Sequence, residues 1–186
     1  MKSAWILCAQ GSEELEVVGV ANVLRRAGIH TQLVSLEPGL EVQCARKVHL
    51  LADRHWQDGL PTPDVMVLPG GLEGTERQAN HQGLRDALRL HQAEGKWLAA
   101  MDTAPVLTLQ AQDLLPEGAQ LTAHPGFHDR LPANGRQPDA LVVMDHQHKL
   151  ITSQGPGTAL LFALAIVEVL VGEEAAQRIA APLVIP

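Results

Sequence analysis

Three side chains carry the chemistry this sequence offers: Asp102, Glu16 and His124. Asp102 interrupts WLAAMDTAPVLTLQ, where a short apolar run of strand character stops and a second run starts in a helical rhythm. A carboxylate at that junction has two readings. It could cap the helix, since helix N-termini favour negative charge. It could equally stand on a sharp strand-to-helix elbow that displays one side chain at the top of a sheet, although the usual GxSxG is absent. Glu16 lies in the first turns of an apolar helix, whereas Glu13 and Glu14 read as solvated. Two carboxyls in one poorly solvated cleft do not both ionise readily. If the helix N-terminus holds charge on Asp102, the proton belongs on Glu16, and the pair is expected within hydrogen-bonding distance, directly or through a water. His124, ahead of Pro125–Gly126, is the candidate proton shuttle for the same pocket.

The backbone around these residues must be placed by the fold. AWILCAQ (residues 4–10) reads as a buried strand, and LEVVGVANVLRRAG as a helix in which Leu15, Val18, Ala21 and Leu24 or Arg25 follow helical spacing. Ser12 and Gly28 are its expected caps. HTQLVSL is the next strand. Strand–helix–strand is the unit of a parallel sheet. VQCARKVHLLADR suggests a small antiparallel excursion, and residues 64–71 and 96–101 two central strands. Leu84 to His91 marks a helix, and residues 106–115 another. Short strands follow at 121–123, 140–144 and 149–152, then helices at 159–171 and 173–180. The expected fold is one α/β domain spanning residues 1–186, a flavodoxin-like, doubly wound sandwich with a mostly parallel sheet between helices.

In such a sheet ligands bind beyond the carboxyl ends of the strands. Four loops qualify: residues 9–16, 69–74, 102–104 and the GPGT corner at Gly155, Pro156, Gly157 and Thr158. In the second, Pro69–Gly70–Gly71 lets backbone approach closely, and its N–H groups could receive an anion or a developing oxyanion. Neither GxGxxG after the first strand nor GxxxxGK[ST] occurs, so neither standard nucleotide site is expected. No HExxH or comparable ligand spacing is present.

Composition narrows the classes further. The 186 residues are 46% hydrophobic but only 3% aromatic with no Tyr, so the core rests on Leu, Val, Ala and Ile. A formal charge of −7 with 14 Lys and Arg argues against a nucleic-acid surface. TALLFALAIVEVLV is too short to cross a bilayer and contains Glu168. Cys8 and Cys44 form no CxxC pair, and no secretory signal is recognisable, so two reduced thiols in a cytoplasmic protein are expected. Val17, Val18, Ala21 and Leu24 offer more apolar surface than one helix face needs, which predicts a homodimer through the first helix.

AQGSEELEVV, RRAGI, VQCARKVHLLAD, DVMVLPGG, LAAMDTAP, LTAHPGFHDRLP, TSQGPGTALLFALAIVEVLVG and the closing APLV together resemble the ThiJ/PfpI superfamily. The match is closest to the branch containing the parkinsonism-associated protein deglycase, and it covers nearly the whole chain. The resemblance implies a flavodoxin-like, class I glutamine amidotransferase-like fold and a dimer. It implies a reactive cysteine at the place of Asp102, in a motif like AAICAAP, and a protonated glutamate at Glu16. The anion-binding corner is implied at the backbone N–H groups of Gly71 and Thr103, with a histidine at His124 and an arginine at Arg46 reaching across the dimer interface. Gly70, Gly155 and Pro156 complete the implied pocket. Glyoxal detoxification, repair of glycated groups, redox sensing and chaperone-like protection are the roles reported in that family.

The departure is at the elbow itself, where Asp replaces the thiol; neither Cys8 nor Cys44 is a positional substitute. A carboxylate is a poor nucleophile toward an aldehyde. It does share the charge and the paired oxygens of a cysteine sulfinate. The expected function is therefore a divergent member without cysteine catalysis, without a cofactor, binding a small anion or other metabolite or serving a stress response. Two alternatives remain open at this point. One is a hydrolase or isomerase using Asp102 and Glu16; the other is a divalent metal held by Asp102, Glu16 and His124.

Overall fold

The computed structural model describes residues 1–185. Strand β1 (Ser3–Cys8) leads into α1 (Glu14–Arg26) and β2 (His30–Ser35). A hairpin of β3 (Glu41–Gln43) and β4 (His49–Leu51) follows, then the short β5 (Arg54–His55) and β6 (Val65–Leu68). Helices α2 (Leu72–Asn80) and α3 (Leu84–Ala93) precede β7 (Trp97–Met101). The chain closes with β8 (Val142–Asp145), β9 (Leu150–Ser153), α4 (Ala159–Val171) and α5 (Glu173–Leu183). Seven strands form one sheet in the order β5-β2-β1-β6-β7-β9-β8, parallel throughout except for the β8–β9 pair. Helices flank both sides, the flavodoxin-like sandwich that the strand–helix alternation predicts.

Alternation along β1 shows how this sequence builds two cores. Ala4, Ile6 and Cys8 join a cluster under α1 and α4, while Trp5, Leu7 and Ala9 join another with Leu84 and Leu88 of α3. Successive side chains of a strand point to opposite faces, so an unbroken apolar run is what a strand covered on both sides needs.

Several elements differ from the sequence reading. The buried stripe of α1 is Val17, Val20, Ala21 and Leu24, whereas Leu15 and Val18 are exposed. The helix is apolar on more than one face, so spacing alone selects the wrong stripe. Glu13, not Ser12, occupies the N-cap, and the Ser12 hydroxyl turns back to accept the Ala9 N–H at 3.0 Å. Gly28 does terminate α1, at φ +73°. The hairpin of β3 and β4 appears as expected, but β5 at the sheet edge and α2 do not announce themselves. The buried residues of α2 are Gly74, Thr75 and Gln78, which leave no apolar period to detect. The helix expected at 106–115 is a π-helical turn, Pro105–Leu109, continued by a 3-10 turn to Gln112. Residues 121–123 contribute one isolated bridge, from Leu121 to Arg136.

Among the described residues no helix is long and apolar enough to cross a membrane. Cys8 and Cys44 are both free and buried. Burial raises both thiols, Cys44 to about 11, which keeps them as thiols rather than reactive thiolates.

Candidate active-site elbow

From β1 the chain passes to β2 on one side, and later to β6 and β7 on the other, so the strand order reverses between β1 and β6. This is where a doubly wound sheet opens a crevice at its carboxyl end. The loops after β1, β6, β7 and β9 meet there. Glu13 N–H donates to Gly70 O at 3.0 Å, and Asp102 N–H to Ser153 O at 3.0 Å.

Asp102 follows the last residue of β7 with φ +58°. Positive φ is uncommon outside glycine, and Asp tolerates it better than most residues. The conformation still costs about 1–2 kcal/mol, which the surrounding hydrogen bonds must offset. The Asp102 carboxylate does not cap the helix that follows. Pro105, three residues on, has no N–H to give it. Instead Oδ2 accepts the Gly71 N–H at 3.0 Å and the Thr103 hydroxyl at 3.2 Å. The Thr103 hydroxyl lies 3.3 Å from that of Thr75, which in turn donates within α2. The carboxylate thus occupies the corner expected to receive an anion. Thr103 contributes to that corner through its side chain.

Glycine is required at both β6-end positions for different reasons. At φ +92°, Gly71 turns its N–H inward, and a Cβ there would run into the Gly11 carbonyl. Gly70 lies flat against Asp102, where a Cβ would collide with the carboxylate.

Glu16 is fully buried behind this corner. Its Oε2 accepts the Gly70 N–H at 2.5 Å, and its Oε1 has no hydrogen-bond partner. Burial first, and then the charge of Asp102, raises its carboxyl well above the ordinary carboxylate range, against the lowering effect of the Gly70 N–H. The acid expected to hold the proton is therefore Glu16. The direct Glu16–Asp102 hydrogen bond expected from the sequence is not formed. Adjacent backbone N–H groups, Gly70 and Gly71, hold the two carboxyls separately.

A cavity of about 420 Å³ opens over the elbow, lined by Asp102, Thr103, Gly71, His124, Arg46 and Pro156 together with Gly11, Glu13, Glu73 and Phe127. His124 is exposed at its rim. Its backbone N–H donates to Asp102 O at 2.9 Å, and its Nδ1 accepts the Gly126 N–H at 3.1 Å. A neutral ring therefore carries its proton on Nε2. Arg46 lines the cavity of its own chain. Its loop is fixed by Glu14, whose carboxylate accepts the Arg46 N–H at 3.0 Å. Gly155 lies beside Asp102, with room for a Cβ 3.8 Å from Oδ1.

The structure therefore gathers Asp102, Gly71, Thr103, His124, Arg46 and Pro156 around one opening, with Glu16 and Gly70 behind it. Glu16 does not line the cavity, so a two-carboxylate mechanism lacks an acid that touches its substrate. Among the described residues no group of three His, Cys, Asp or Glu side chains is placed to hold a metal ion. The Asp102–Glu16–His124 metal site is corrected accordingly: Glu16 is fully buried, is fixed to Gly70 and has its carboxyl raised well above the ordinary range by burial, which makes it a poor ligand. Sequence reasoning also misplaced Glu13 and Glu14, which are both buried. Burial, above all, raises the Glu13 carboxyl, with Arg46 nearby acting to lower it. Glu73 and Phe127 were missed. Phe127, three residues after His124, stacks edge-on against its ring at 6.2 Å between centroids, and HPGF was the signal available.

Comparison with known proteins agrees with this fold. The model of the DJ-1/PfpI family matches residues 2–169. The chain is 39% identical to Protein dj-1beta of Drosophila melanogaster over 99% of its own length and 97% of the relative's. It is 33% identical to the Parkinson disease protein 7 homolog of Danio rerio, with the same coverage. The crystal structure of Drosophila DJ-1beta superimposes with a TM-score of 0.92, covering 100% of this chain and 98% of that one. An oxidised DJ-1 from Toxoplasma gondii, 35% identical, gives 0.91 with 98% of each chain covered. Fold and sequence thus converge, and the chain belongs to the DJ-1/PfpI family as a divergent member with aspartate in place of the elbow cysteine.

Proposed function

We propose that this protein is a homodimeric, cytoplasmic binding protein for a small polar metabolite, acting without thiol chemistry and with its elbow fixed in an oxidised-like form. The carrying observation is Asp102 Oδ2 in the Gly71 corner, joined by the Thr103 hydroxyl. A cysteine sulfinate is an anion with paired oxygens, and Asp102 presents the same features without an oxidant. A 32%-identical relative, from Caenorhabditis elegans, is named a glutathione-independent glyoxalase. A carboxylate cannot form the hemithioacetal open to a thiolate, so that activity does not transfer.

The test is a methylglyoxal assay on the purified chain. No turnover above a heat-denatured control is expected, whereas Asp102→Cys should gain an alkylatable thiol. Turnover by the unaltered chain would reject the reading. Dimerisation is supported by Leu15 and Val18, exposed on α1, and not by Val17, Ala21 and Leu24, which serve the chain's own core. Sedimentation should give twice the 20.0 kDa chain mass; a monomer at micromolar concentration would remove the dimer.

A further inference from the structure

We propose that the cavity over the elbow takes a ligand bearing a protonated primary amine, with Asp102 Oδ1 as its acceptor. This rests on the binding reading above and names its ligand class.

The two oxygens of Asp102 are not equivalent. Oδ2 is held by Gly71 and Thr103, whereas Oδ1 accepts no hydrogen bond from the described residues. The residue is only 8% exposed, yet it lines the cavity. Oδ1 faces the side where Gly155 and His124 meet: a Cβ on Gly155 would stand 3.8 Å from it and 3.7 Å from His124 Cδ2. Glycine keeps that approach open. A carboxylate oxygen that opens on the cavity with no donor from the protein is an available acceptor, and a charged N–H donor meets it best.

The charges around it select the sign of the ligand. Glu13, Glu73 and Asp102 are the carboxylates lining the cavity, and Arg46 is its cation. Arg46 acts on Glu13, and Glu73 is paired with Arg77 at 2.9 Å. No ion pair among the described residues includes Asp102, and Glu16 behind it, whose carboxyl burial raises well above the ordinary range, does not line the cavity. An anion entering here would face the free oxygen of Asp102 and find the Gly71 N–H already engaged. The arrangement thus reverses the preference of an empty anion corner.

The experiment is a titration of the full-length, ¹⁵N-labelled chain with n-propylammonium, propionate and propan-1-ol at constant ionic strength. The amide signals of Gly71, Thr103 and His124 are followed. Saturating shifts are expected with propylammonium, at a Kd at least tenfold below those of the other two probes. Asp102→Asn, whose amide can keep its oxygen on Gly71 and turn NH₂ into the cavity, should weaken amine binding at least tenfold and favour propionate. Gly155→Ala, with ordinary room for its methyl, should narrow the approach and weaken amine binding without unfolding the chain. Equal or tighter binding of propionate or the alcohol would overturn the inference. So would no response to any probe, or amine binding unchanged in both variants. Any of these with methylglyoxal still inert removes the ligand class and leaves the non-thiol reading intact; methylglyoxal turnover removes that reading itself.

Discussion

Replacing Glu16 with Gln should make the protein more stable at neutral pH, by an amount that grows with pH. Glu16 is completely buried, accepts one N–H from Gly70 and leaves Oε1 unpaired beside the charge of Asp102. Its folded-state carboxyl titrates well above the ordinary range because of burial and that neighbouring charge. In the unfolded chain the same group releases its proton near its ordinary value of 4.5. Below that pH both states hold the proton and the group adds no pH dependence. Above it the unfolded chain gives up the proton while the folded chain keeps it, so stability falls until the folded value is reached. Each pH unit between the two values costs about 1.4 kcal/mol. Gln matches the shape, can accept from Gly70 through its oxygen and has no proton to lose. The two proteins should therefore lie within about 1 kcal/mol at pH 4.5 and separate steadily above it. For a chain of this length each 1.4 kcal/mol of divergence corresponds to about 3–6 °C in Tm. Urea unfolding of both proteins, followed by circular dichroism at half-unit steps, isolates Glu16 because the other groups are common to both. Parallel stability curves from pH 4.5 to 7 would refute the reasoning and place an ionised carboxylate at position 16.

Three further outcomes follow from the same contacts. Thr103→Val removes the hydroxyl between Asp102 and Thr75 and should cost about 1 kcal/mol in chemical denaturation, with Thr103→Ser restoring most of it. Gly70→Ala drives a methyl into the Asp102 carboxylate and should cost about 1–3 kcal/mol; in a double-mutant cycle Asp102→Ala should relieve much of that penalty, and simple additivity would count against the close approach. Phe162→Ala empties the centre of the α1–α4 core, where Phe162 is fully buried, and should cost about 3–5 kcal/mol by denaturant unfolding.

The sequence by itself determined the sheet and the elbow. Unbroken apolar runs such as residues 4–9 and 97–101 must be covered on both faces, and only strands between two helical layers achieve this. Asp102 between such a run and Pro105 had to lie at a turn, since Pro cannot sit inside the preceding strand and suits a helix start. Gly70–Gly71 likewise marked a close backbone approach before any partner was known. Helix α2 stayed hidden because what it buries is small or polar, Gly74, Thr75 and Gln78, and hydrophobic spacing carries no trace of it. The acidic run Glu13–Glu14–Glu16 was similarly opaque: all three are buried, yet Glu13 lines the cavity, Glu14 fixes the Arg46 loop and Glu16 sits behind Gly70. Their separation depends on loops arriving from β3–β4 and β6, many residues away. Only that convergence also decided that one oxygen of Asp102 is held by the backbone and the other is left to the cavity, because a hydrogen bond is set by positions in space that sequence spacing does not encode.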